Sequence, residues 1–163
     1  MLDWITVEQN NNHYKFKIPQ RELYQDLYGI CAAYYTIDYI CKNYPAPYTL
    51  CLSGGVDSQA MLYAWHTSNR PFQTMSVKYN VDMNDHDLKT LEEFSQKYNI
   101  QINFVDFDLL NFYQNDYVDY VHRYKCGSPH FCTFMKFSEL VKEGTVLFSG
   151  TPFNNKLFGT NEF

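Results

Sequence analysis

Positive charge is scarce in this 163-residue sequence: 13 Lys and Arg stand against 18 Asp and Glu, a formal net charge of -5. Gripping a nucleic-acid backbone takes a basic stripe, and His122-Arg123-Tyr124-Lys125 is the one basic cluster, so a tRNA or DNA substrate is disfavoured. Long apolar runs are missing as well. With nothing approaching ~20 consecutive apolar residues and no signal-peptide pattern at the amino terminus, the expectation is a cytoplasmic protein without a membrane role. Cysteine is limited to five residues, an odd count that speaks against a disulfide framework. Cys31, Cys41 and Cys51 lie inside apolar patterns and read as reduced core residues. Cys126 and Cys132 form C-x5-C around His130, without the C-x2-C pairs and four ligands usual for zinc. A redox role for that pair stays open, because reactivity depends on a lowered thiol pKa.

What is present is the raw material of a folded core. The chain is 45% hydrophobic and 18% aromatic, with 15 Tyr and 13 Phe. That composition suits one globular domain with core and rim aromatics, some of which could stack on a base. At the amino end Ile5 and Val7, then Tyr14, Phe16 and Ile18, alternate around Asn10-Asn11-Asn12, which predicts a hairpin over 1–18. A helical stripe runs from Gln20 to about Asn43 through Leu23, Leu27, Ile30, Tyr34, Ile37 and Cys41, ended by Pro45 and Pro47.

From there strands and helices alternate. Tyr48 to Leu52 is a short apolar run suited to a strand buried on both faces. After it a helix is predicted with Asp57, Met61, Ala64 and Ser68 on its stripe, broadened by Ala60 and Trp65. Strand Phe72 to Tyr79, helix Asp85 to Tyr98 with Asn84 as N-cap, and strand Gln101 to Phe107 follow. Helices Leu109 to Tyr124 and Phe131 to Val141 precede a last strand, Thr145 to Phe148. The alternation predicts an α/β fold: a doubly wound, mostly parallel, Rossmann-like sheet with a core over 48–151 in a single domain of 1–163. Ligands of such sheets bind at the carboxyl ends of the strands, where strand order reverses. Lys78 to Asp82, Asp106 to Asp108 and Ser149 to Asn155 should reach that edge.

The stretch with the most chemistry in it is Ser53-Gly54-Gly55-Val56-Asp57-Ser58, where the first of these strands turns into a helix. Adjacent glycines can take positive φ and let a ligand approach the backbone. The helix start offers unpaired N–H groups and the positive end of its dipole, an anion site, to which Ser53 and Ser58 add hydroxyls. Asp57 beside phosphates suits Mg²⁺, which prefers one or two carboxylates with phosphate oxygens and water. The lysine of a Walker-type loop is lacking. His66, His122 and His130 stand out as no acid–base pair, and His66 reads as a capping or core residue.

S-G-G-x-D-S is the signature that the chain shares with the PP-loop ATP pyrophosphatase superfamily, which it resembles over roughly Tyr48 to Thr151. That group includes asparagine synthetase, NAD synthetase, 7-cyano-7-deazaguanine synthase, tRNA-thiolating enzymes and phosphoadenylylsulfate reductases. The resemblance implies an ATP- and Mg²⁺-using enzyme that adenylates a small substrate and releases pyrophosphate. It implies ATP contacts at Ser53, Gly54, Gly55, Val56, Asp57 and Ser58, with Asp57 catalytic and metal-binding. The adenine would lie at the strand end around Val77, Lys78 and Tyr79. Cys132-x3-Lys136 followed by Ser149-Gly150-Thr151 is similar to the reductases' substrate region, which makes Lys136, Gly150 and Thr151 substrate-binding candidates. Two departures stand beside these likenesses: the four-cysteine zinc cluster of the 7-cyano-7-deazaguanine synthases and the carboxyl-terminal E-C-G-x-H cysteine of the reductases have no counterpart here. There is also no room before the loop for an amidotransferase domain, and only Phe153 to Phe163 are left after the last strand for substrate recognition, so the pocket is expected to take a small substrate or to be completed by a homodimer or a partner subunit. A non-catalytic nucleotide-binding module and a reductase-like redox enzyme are the competing readings.

Overall fold

The computed structural model describes residues 6–10, 13–17 and 29–150. The chain divides into two compact units, residues 1–32 and 33–163. In the first, β1 (Thr6–Asn10) and β2 (His13–Lys17) pair antiparallel, with Asn10 opposite His13 and Thr6 opposite Lys17. The expected hairpin is therefore present; Ile5, Ile18 and the turn residues Asn11 and Asn12 lie outside the described residues, as do 20–28 of the predicted first helix. What is described of that helix is α1 (Gly29–Asn43).

The second unit is built on four parallel strands: β3 (Tyr48–Leu52), β4 (Gln73–Tyr79), β5 (Phe104–Phe107) and β6 (Thr145–Phe148), in spatial order β5-β4-β3-β6. Their connections are α2 (Val56–Thr67), α3 (Asp85–Tyr98), and a continuous helical path of α4 (Leu109–Asn111), a π-helical stretch Phe112–Asp116 and α5 (Tyr117–Tyr124), then α6 (Pro129–Ser138). Strand order runs outward from β3 through β4 to β5 and then jumps back to the other side of β3. The reversal that opens a crevice at the carboxyl edge thus falls at β3, the strand that feeds the glycine loop.

All five residues of β3 are buried, because both faces of this strand are covered. Tyr48, Leu50 and Leu52 meet Ile37 of α1, Leu62 and Trp65 of α2 and Leu91 of α3. Cys51 faces the other way, onto Met75 and Phe137 of α6. Complete burial of Leu50 contributes about 1.5–3 kcal/mol.

The buried face of α2 differs from the expected stripe. Ser58, Leu62, Ala64 and Trp65 are buried, whereas Asp57 and Ala60 are exposed. Flanking α1 and α3 close this helix on several sides, so burial follows the three-body packing more than a single sheet-facing stripe. Cys31 is exposed and Cys41 half-buried; of the three expected core cysteines only Cys51 is buried. The strand β5 starts at Phe104, not Gln101, because the Thr74 hydroxyl takes over the pairing there, donating to the Gln101 carbonyl at 2.7 Å and accepting from the Asn103 N–H at 3.2 Å. Among the described residues no helix is long and apolar enough to cross a membrane.

α5 and α6 are tied by Glu139, which accepts from the hydroxyl of Tyr120, from that of Tyr124 at 3.0 Å and from Arg123 at 3.2 Å. The Tyr120 hydrogen bond, helped by Tyr124 and Arg123 and opposed by partial burial, holds this carboxyl below its usual range. A depressed folded-state pKa contributes stability that is fully present above the unfolded value, about 4.3, and is lost as pH falls through the folded one. Glu139→Gln should therefore lower the melting temperature at pH 7 by about 2–4 °C, a loss of ~1 kcal/mol. Melts taken from pH 7 down to pH 3 should show the gap to the native protein closing in acid; a gap independent of pH would refute the assignment.

Candidate active site

β3 delivers the chain to an exposed Ser53, and the turn into α2 is made by Gly54 at φ +93°. Gly55, the residue before α2, has φ -69° and ψ 166°, an ordinary extended conformation. Of the two glycines, then, only the first uses left-handed backbone freedom. Gly54 also lies against the first turn of α3, where a Cβ would run into the carbonyl group of Asp87. At Gly55 an added Cβ would meet nothing of the protein closer than the Ser53 Oγ, 3.6 Å away.

The loop is braced from within. Ser58, fully buried, donates to the Gly55 carbonyl at 2.9 Å and accepts from the Gly54 N–H at 3.1 Å. Gln59 donates to the Gly54 carbonyl at 2.7 Å. The Gly55 N–H reaches the Ser53 hydroxyl at 3.4 Å. Among the described residues this leaves the first-turn amides of Val56, Asp57 and Ser58 as the free donors of the α2 start, with the exposed Asp57 carboxylate beside them.

Beside Ser53 opens a cavity of about 430 Å³, within the size range of small-molecule sites. One wall is the end of β4, Val77 and Tyr79, with Asn84 and Asp87 from the start of α3. Another part of the wall is one face of α6, His130, Thr133, Phe134 and Phe137, together with Tyr113. Phe148, Ser149 and Gly150 close it behind β6. The aromatic wall is firmly set: Phe134 stacks on Phe148 at 4.6 Å, the His130 ring lies 4.2 Å from Phe134, and the Tyr113 and Thr133 hydroxyls are 3.0 Å apart. Burial pushes the Cys51 thiol up to about 12, and burial followed by the neighbouring Tyr113 raises Tyr79. Both groups are neutral at physiological pH.

The cavity brings Ser53, Val77, Tyr79 and Gly150 together. Lys78 alternates with Val77 and Tyr79 and so sits on the other face of β4, in a separate hollow with Asp82, Asp106 and Asp108. Lys136 is not among the cavity residues; its ammonium pairs with Asp116 at 3.4 Å and lies over the Tyr120 ring. Thr151 is outside the described residues. His66 ends α2 in a hollow lined by Phe72, Gln73 and the 99–103 connection, at the amino edge of the sheet. Cys132 is buried, and its thiol donates to the Cys126 carbonyl at 3.3 Å. Burial first, then Cys126, raises that thiol, which disfavours the thiolate needed for redox work.

Several wall residues were not singled out from the sequence. The spacing of His130, Thr133, Phe134 and Phe137 is that of one helical face, a signal that could have found them. Asn84 is the N-cap residue of α3, as expected, but its side chain makes no cap hydrogen bond to the helix. The carboxamide instead bonds to the end of β4, accepting from the Tyr79 N–H at 3.0 Å and donating to the Val77 carbonyl at 2.8 Å.

Among the described residues no three His, Cys, Asp or Glu side chains converge on a metal site. The exposed Asp57, one carboxylate next to a helix start, is the donor set that suits Mg²⁺ shared with phosphate oxygens.

Residues 48–120 match the family model described as Queuosine biosynthesis protein QueC. No curated protein matches the chain. Among solved structures, the U34-tRNA thiolase NcsA from Methanococcus maripaludis is 19% identical over 55% of this chain and 31% of its own, with a TM-score of 0.36. The glutamine-dependent NAD+ synthetase from Acinetobacter baumannii, in complex with ADP, is 19% identical over 65% of this chain and 21% of its own, with a TM-score of 0.42. The chain thus spans less than a third of either. The matched family span begins with β3, runs through the glycine loop and ends in α5, and over that span the S-G-G-x-D-S turn sits where strand order reverses: this stretch of the chain is similar to the QueC family.

Proposed function

We propose that this domain binds ATP with its phosphates over the Ser53–Ser58 turn and transfers the adenylyl group to a small molecule, releasing pyrophosphate. The observation that carries the reading is the glycine turn at the end of the central strand, whose first residue, Ser53, lines the cavity of about 430 Å³. Space at Gly55 that the atoms of the described residues leave free supports a ligand at that point.

In this reading an oxygen of the acceptor attacks the α-phosphorus, the bond to the β-bridging oxygen breaks, and the electron pair leaves with pyrophosphate. Charge gathers on that leaving group, where the first-turn amides of α2 and the Ser53 hydroxyl lie ready to receive it. Mg²⁺, held in part by Asp57, would supply further neutralisation of the phosphate oxygens. The aromatic wall of α6 with Tyr113 would hold a flat or apolar part of the nucleotide or acceptor and exclude water. A second copy or a partner subunit would complete the acceptor side. The adenylated acceptor is then attacked by ammonia, an amine or a sulfur nucleophile, and AMP leaves with the electron pair of the bond that joined it to the acceptor.

Product analysis with α-labelled ATP and Mg²⁺, with and without a small-metabolite extract, tests this. Extract-dependent AMP or an AMP adduct is the expected result. No turnover would overturn it in favour of a non-catalytic nucleotide-binding module, and ADP alone would overturn it by placing cleavage at the γ-phosphorus.

A further inference from the structure

β3 ends level with Ser76 of β4, and β4 continues for three residues, Val77, Lys78 and Tyr79. Backbone groups alternate sides along a strand. Lys78 is therefore turned to β5, its neighbour in the ladder, while the Val77 carbonyl and Tyr79 N–H point to the side that β3 has vacated, at the wall of the cavity. No strand satisfies them there. One side chain does both jobs: the Asn84 carboxamide gives its N–H to Val77 at 2.8 Å and takes that of Tyr79 at 3.0 Å.

A carboxamide carries a donor and an acceptor on one carbon. The Watson–Crick edge of adenine does the same, with the 6-amino group and N1 joined through C6. Guanine and hypoxanthine carry the opposite arrangement, an acceptor at position 6 and a donor at position 1. We propose that Asn84 is a built-in stand-in for the base, holding the Val77 carbonyl and Tyr79 N–H until an adenine displaces it, so that Asn84 sets how strongly and how selectively the base is read. The inference rests on the proposed ATP site and adds a residue to it. Asn84, Val77 and Tyr79 all line the same cavity as Ser53, so a base seated on this edge shares a compartment with the phosphate turn. Displacement exchanges two hydrogen bonds for two, so the base gains little net affinity in the native protein.

The experiment compares native protein and Asn84→Ala for equilibrium binding of ATP, ITP and inorganic tripolyphosphate, with folding checked by melting. Removing the stand-in should tighten ATP about tenfold, as expected when a competing state is removed, and leave tripolyphosphate and ITP unchanged. If Asn84 only braces the 79–84 turn, the variant binds ATP more weakly or equally while still binding tripolyphosphate, and the inference fails. If neither ATP nor tripolyphosphate binds the native protein, the proposed function fails and takes this inference with it. A readout on the native protein does not depend on the variant folding. Saturating ATP, but not tripolyphosphate, should expose the Asn84 side-chain NH₂ to solvent exchange; continued protection under ATP would overturn the inference.

Discussion

Gly54→Ala is expected to abolish nucleotide binding and to destabilise the domain by about 3–5 kcal/mol, in the range reserved for a few severe mechanisms. Two such mechanisms coincide. The residue has φ +93°, where a Cβ costs roughly 1–2 kcal/mol. The new Cβ would also strike the Asp87 carbonyl, part of the first turn of α3 and not the yielding tip of a side chain. Relief requires moving either the turn or α3, and Asp87 and Asn84 at that start belong to the cavity wall. Thermal melting and ATP binding measured together check this. A variant that melts normally and binds normally would mean that the close approach of loop and α3 is not maintained in solution. Gly55→Ala is the control: its backbone is ordinary and its surroundings open, so it should melt normally, and any loss it shows should be confined to ligand binding.

Asp57→Ala should separate chemistry from folding in the opposite sense. The carboxylate is exposed at the start of α2, and removing it forfeits its favourable placement at the positive end of the helix, about 0.3–1 kcal/mol. The melting temperature should fall by no more than about 2–4 °C. AMP formation should fall by about 10²–10³-fold, as for the loss of one element of charge stabilisation at a leaving group. Raising Mg²⁺ should restore little of it if Asp57 positions the ion as well as attracting it. Turnover within roughly threefold of native would remove Asp57 from the mechanism and leave charge stabilisation to the helix-start amides alone.

Some of this site was legible before any coordinates. S-G-G-V-D-S stood between an apolar pentapeptide and a helical pattern, and β3, α3 and β6 have the bounds that local pattern predicts, because burial on both faces and capped helical periodicity are properties of contiguous residues. The parallel sheet followed from alternation of strands and helices. The α2 face departs from the local stripe for a reason that is not local: α1 and α3 bury positions that a two-layer stripe does not include.

The walls of the cavity lie further from what local pattern can say. Phe134 meets Phe148, and Tyr113 meets Thr133, across separations in the chain that only the packing of α6 on the sheet closes. Lys136, next in sequence to the wall residue Phe137, is turned by the helical repeat toward Asp116 and away from the cavity.

The sequence by itself determined the strand-loop-helix turn, the alternation that makes the sheet, and the unpaired N–H donors of a helix start, since each depends on neighbours in the chain. Which carbonyl crowds Gly54, which wall faces the turn, and which side chain occupies the edge of β4 were decided by tertiary structure alone. The reason is physical: β4 outruns β3, and the backbone groups left over must find a partner, which the fold supplies from Asn84, five residues beyond Tyr79.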